Sequence, residues 1–127
     1  HDRNFEALVD TWLPPMVAPD HLQDAALMGP MRDMCIRAGQ EKFEAQIRAL
    51  LGRGNQELLL PEITCPTLVM TGEKDAWAPP AQHERIAAAI PDSELVIVPG
   101  AGHMLPLEAP GEVNTAIARW LSRPATD

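Results

Sequence analysis

The sequence predicts an α/β fold: a helical segment followed by a β-α-β-α unit with parallel strands. Three observations carry this. Two short apolar runs rich in strand formers, Thr67 to Thr71 and Glu94 to Val98, are closed by Gly72 and by Pro99-Gly100. A helix-length stretch separates them. Before Leu60 the periodic stretches have helical spacing, with no strand candidate. The change near Leu60-Pro61 divides the chain into 1–60, helical, and 61–127, alternating.

In the first part Phe5, Leu8, Val9 and Trp12 form the stripe of an amphipathic helix, which Asn4 can cap and Pro14-Pro15 ends. A second helix fits Pro19 to Met28, with Gly29-Pro30 beyond its end. Met31, Met34, Cys35 and Ala38 make another stripe, and Phe43, Ile47, Leu50 and Leu51 a third. The two are out of phase across Gly39, where a break is expected. Gly52 to Asn55 reads as a turn. The methionines of these helices suit an ordinary core, or else an adaptable apolar pocket. In the second part a helix spans about Pro79 to Ile90, and a last one about Pro110 to Leu121. Both strands are apolar on each face, as in a parallel sheet between helices.

Composition excludes some functions. Eighteen acidic residues against ten basic ones give a formal charge of −8, which a duplex or an anionic membrane surface would repel. No apolar run approaches the roughly 20 residues of a membrane helix. The polar opening His1-Asp2-Arg3-Asn4 shows no signal peptide, so a cytoplasmic location is expected. Cys35 and Cys65 are not spaced like metal ligands and read as buried free thiols of a reducing compartment. No cofactor or metal site is expected. His1, His21 and His83 read as surface histidines.

Two loops stand at the C-terminal ends of the strands, the edge of a parallel sheet where reactive groups gather. One is Gly72-Glu73-Lys74-Asp75-Ala76-Trp77, the other Pro99-Gly100-Ala101-Gly102-His103-Met104. Adjacent parallel strands bring Asp75 within reach of His103. A carboxylate on one imidazole N–H fixes the tautomer and leaves the other nitrogen to take a proton. Asp75 as an ordinary loop carboxylate or helix cap, and His103 as a partner of loop backbone, are the competing readings. Glu73 is a rival acid nearer the strand end. Glu108 reads as helping to begin the last helix.

These residues resemble the α/β-hydrolase superfamily over Ile63 to Leu121, about half the chain. The resembling stretches are Cys65-Pro66-Thr67-Leu68-Val69-Met70-Thr71-Gly72-x-x-Asp75, then Ala88-x-Ile90-Pro91, then Gly102-His103-Met104-x-x-Leu107-Glu108-x-Pro110. The resemblance implies that Asp75 is the triad acid and His103 the general base. It also implies that 1–60 is a helical cap or lid segment, and that 61–127 is the C-terminal part of the hydrolase core. Trp77 and Met104 flank the pair; they line the substrate pocket or simply pack beside the sheet.

The family's nucleophile sits on a Gly-x-Ser-x-Gly elbow, and this chain has none. Its serines are Ser93, before a strand, and Ser122, at a helix end. The expectation is therefore a part of a serine-type hydrolase of esters, thioesters or enol-lactones, acting on a small apolar ester-like molecule and inactive by itself. The alternative is a non-catalytic binding or oligomerisation module with a hydrolase-like fold. Two parallel strands make a poor sheet, and Thr67 to Thr71 would be an apolar open edge. A homo-oligomer is expected, most simply a two-fold dimer with these strands antiparallel across the axis.

Overall fold

The computed structural model describes residues 3–124. His1, expected on the surface, lies outside the described residues, as does the end of the 61–127 segment.

Helix α1 (Arg3–Trp12) buries Phe5 and Val9, and a 3-10 turn at Pro14–Met16 follows it. Asn4, expected as the cap, stands inside the first turn. After a second 3-10 turn at Pro19–His21 comes α2 (Ala25–Ala38), one helix where two were expected. Its start is set by Asp24, whose Oδ1 accepts the N–H groups of Ala26 and Leu27 at 2.9 and 3.2 Å. It continues through Gly29-Pro30. An interior proline costs about 3 kcal/mol, but each fully buried Met or Leu contributes about 1.5–3 kcal/mol. Here Met31 is buried, and Leu27 and Met28 pack beside it against Phe5, Val9, Leu13 and Val17. Continuous burial of one helix face outweighs the local breaker.

The break expected at Gly39 is present, with φ 82° between α2 and α3 (Gln40–Gly52). Phe43 of α3 meets Phe5 and Trp12 edge-on, at ring-centroid distances of 5.9 and 5.7 Å. The rest of the expected α3 stripe, Ile47, Leu50 and Leu51, is exposed. Met16 and Met31 are core residues, whereas Met34 is exposed.

A 3-10 stretch at Glu57–Glu62 leads into β1 (Thr67–Gly72), α4 (Pro80–Ala89), β2 (Ser93–Val98), α5 (Leu105–Glu108) and α6 (Pro110–Leu121). The strands are parallel, from Thr67 opposite Ser93 to Gly72 opposite Val98. Helix α4 packs against both strands. Met70 and Val96, cross-strand partners, lie against a second cluster of Val98, Ala101, Leu105 and Ala109. Coverage is less complete than the apolar sequence suggested: Ile97 of β2 is exposed. Ion pairs of Arg119 with Glu94, and of Arg123 with Asp92 at 2.9 Å, tie the end of α6 to the start of β2. Both cysteines are free, but only Cys35 is partly buried; Cys65 is exposed because it lies ahead of β1, outside both clusters. Burial pushes the Cys35 thiol above its usual pKa. Among the described residues no helix is long and apolar enough to cross a membrane.

Candidate active site

Gly72 ends β1 where the chain crosses beneath the loop after β2. A Cβ at this position would overlap the carbonyl oxygens of Ala101 and Gly102, so only glycine permits the approach. Past it, the N–H of Glu73 donates to the Val98 carbonyl and that of Lys74 to the Ala101 carbonyl, both at 2.9 Å. The acid-bearing loop is thus stitched to the histidine-bearing loop before Asp75 is reached. Glu73 strengthens the seam: its Oε2 accepts the Gly100 N–H at 3.0 Å. That bond employs the rival acid in holding the loops together.

Asp75 is held by its own turn. Its Oδ1 accepts the N–H groups of Trp77 and Ala78, both at 2.9 Å, leaving Oδ2 for the His103 Nδ1 at 2.9 Å. The carboxylate is 5 % exposed and the imidazole 36 %. Two backbone donors fix the carboxylate plane and keep it a good acceptor. With Nδ1 engaged as N–H donor, Nε2 is the nitrogen left to accept a proton, on a ring that solvent reaches.

The neighbours of His103 are also anchored. The Gly102 N–H donates to Glu108 Oε2 at 3.0 Å, and the Met104 N–H to the Met16 carbonyl at 3.1 Å. Glu108, expected to help begin the last helix, ends α5 instead with its side chain wholly buried. Its Oε1 accepts the Ala18 N–H at 2.7 Å and meets His21 Nδ1 at 3.0 Å. His21 is accordingly not a free surface histidine but one third exposed, with its ring in hydrogen-bond contact with Glu108. A carboxylate amid Leu105, Leu107 and Ala109 was the available sign of a buried role; two of its partners, Ala18 and His21, lie far away in the sequence and carried no sign at all.

Trp77 is 51 % exposed, its ring edge-to-face with that of Trp12 at a centroid distance of 6.3 Å. Met104 packs on the helical cluster of Phe5, Val9 and Met31. A cleft of about 400 Å³ lies within the helical segment, lined by Val9, Leu13, Leu22, Met28 and Arg32 among others, away from the Asp75–His103 pair. Among the described residues no cluster of side chains could hold a metal ion.

A model of the alpha/beta hydrolase family matches residues 2–116. The chain belongs to this family. Among curated relatives, a 2-hydroxy-6-oxononadienedioate/2-hydroxy-6-oxononatrienedioate hydrolase of a Pseudomonas species is 29% identical over 94% of this chain and 42% of its own length. Haloalkane dehalogenase 2 of Mycobacterium tuberculosis is 32% identical over 91% of this chain and 42% of its own. Among solved structures, a thermophilic esterase from Thermogutta terrifontis superposes with TM-score 0.88 and 31% identity, over 94% of this chain and 44% of that one. The chain therefore spans less than half the length of these relatives.

Neither serine of this α/β-hydrolase chain stands at the pair. Ser93 opens β2, at the opposite strand end from His103, and its Oγ donates to the Ala87 carbonyl at 2.6 Å. Ser122 donates to the Ala118 carbonyl at 2.8 Å at the end of α6. Neither serine stands on a strand-to-helix turn, so the nucleophile elbow has no counterpart among the described residues.

Proposed function

We propose that this chain supplies the acid and the base of a serine-type hydrolase acting on small, apolar ester-like molecules: esters, thioesters or enol-lactones. The observation that carries the reading is the 2.9 Å contact between Asp75 Oδ2 and His103 Nδ1, on a carboxylate already pinned by two N–H groups. In the proposed mechanism Nε2 of His103 takes the proton of a serine hydroxyl as its oxygen attacks the substrate carbonyl. The imidazolium, stabilised by Asp75, then protonates the leaving group. In the second half His103 activates water against the acyl-enzyme. The serine comes from polypeptide beyond these residues.

Residues 1–60 act as the cap segment over 61–127, and Trp77 and Met104 are the pocket walls nearest the pair. The half-exposed Trp77 ring offers an apolar face beside the acid. The similarity to an esterase at 31% identity supports the ester class. The setting proposed is cytoplasmic, in keeping with two free thiols. The test is a screen of ester, thioester and lactone substrates with the longer protein and its His103→Ala and Asp75→Asn variants. Hydrolysis indifferent to both substitutions would refute the assignment. The 127-residue chain alone is expected to show no turnover above buffer.

Among the described residues β1 has β2 on one side only, and this favours a second reading for the chain in isolation: an association module. Two copies would pair β1 with β1, antiparallel about a two-fold axis. Light scattering that finds a compact monomer at high concentration would remove that reading.

A further inference from the structure

We infer that Glu108 is a positioning residue for His103, and that through it the helical segment sets the orientation of the base. This deepens the proposed function and rests on it. The contacts bracket the histidine on both sides. Residue 102 is anchored to Glu108 Oε2 at 3.0 Å, and residue 104 to the Met16 carbonyl at 3.1 Å. Glu108 Oε1 meanwhile holds the Ala18 N–H at 2.7 Å, two residues from Met16. The histidine loop and the Met16–Ala18 segment are therefore closed on each other, with one buried carboxylate bridging them.

The close approach is built for this bridge. A Cβ on Gly102 would come within 2.6 Å of the Ala18 nitrogen and 3.1 Å of Glu108 Oε2. A carboxylate suits the position because each oxygen faces a backbone N–H, and only an acceptor at both ends satisfies both. An amide would turn an NH2 group toward one of those donors. His21 is the third partner and the most exposed, so it assists the bridge from the solvent side. The remaining degree of freedom of His103, its ring orientation, is then set by Asp75.

The test uses Glu108→Gln, which keeps the volume and spoils one acceptor. In nuclear magnetic resonance of the 127-residue chain, the His103 Nδ1 proton is expected to lose its hydrogen-bonded downfield signal or shift strongly. In the longer enzyme, kcat is expected to fall about ten- to a hundredfold while KM stays within about twofold, as for a misplaced group that binds nothing itself. A lowered melting temperature with the His103 signal in place would overturn the inference and leave Glu108 merely structural. Should Glu108→Gln fail to fold, hydrogen exchange in the unmodified chain decides: Ala18, Gly102 and Met104 amides are expected to open as one unit. Ala18 exchanging independently of Gly102 would also overturn it. The resonance and exchange readouts need no turnover, so an inactive longer protein would sink the hydrolase reading and the catalytic part of this one, while the orientation of the His103 ring by Glu108 is judged separately.

Discussion

Two buried carboxylates each hold an imidazole, and they differ in where their other partners come from. Asp75 takes both backbone N–H bonds from residues two and three positions ahead. Glu108 takes one from Gly102, six positions back, and one from Ala18, ninety positions back. The first site is organised by its own turn and needs the rest of the fold only to bring His103 near. The second exists only when the helical segment is docked. A local turn can be preorganised in a partly open molecule, whereas the Glu108 bridge reports on complete assembly.

The largest expected effect lies at the locally built site. In the proposed hydrolase, His103→Ala should lower kcat roughly a millionfold and Asp75→Asn roughly ten-thousandfold. Asp75→Asn should barely move the melting temperature. Initial-rate assays beside thermal melts check both; equal losses of activity and fold would break the contrast. Glu108→Ala should reverse the balance. Each partly buried N–H left without its acceptor costs roughly 1–3 kcal/mol, so denaturant titration should show a loss of stability larger than that of Asp75→Asn. Gly72→Ala strikes the seam shared by both loops. Overlap with two backbone carbonyls forces them apart, at about 1–3 kcal/mol or more, and a crystal structure or amide shifts should show the 99–104 loop displaced.

The smallest effect belongs to the surface. Lys74 of the acid loop meets Asp20 of the helical segment at 2.6 Å. The hydrogen bond and charge of Lys74 hold the Asp20 carboxyl below its usual value of 3.8, and Asp20 raises Lys74 above 10.5. The carboxylate's contribution is therefore present above pH 3.8 and lost as pH falls through the lowered value. That of the ammonium is present below pH 10.5 and lost as pH rises through the raised one. The stability difference between the unmodified chain and Asp20→Asn should be small at neutral pH, shrink with salt, and close in strong acid. Denaturant midpoints across that range check it.

The same contrast explains what could be read in advance. The strands, α4 and α6 were legible to within a residue or two because short apolar runs and prolines mark their ends locally. The Asp75–His103 contact was legible because strand order carries both loops to one edge; preferring Asp75 to Glu73 rested on the family resemblance. Gly29-Pro30 misled, since the burial of Met31 that carries α2 through it depends on the docking of α1. Helix α5, four residues long, is too short for any periodicity to reveal. The roles of Glu108 and His21 were illegible because an Ala18 N–H has no side-chain signature, and nothing local to residue 108 points to residue 18.

Trp12 and Trp77 have their ring centroids 6.3 Å apart, with planes at 76°. At that separation the in-plane transition dipoles of the two indoles are expected to couple. Lifting the helical segment from the acid loop would uncouple them while every helix and strand stayed intact. A circular dichroism couplet in the aromatic bands, absent from Trp12→Phe, would then serve as an optical gauge of docking, read without label or substrate.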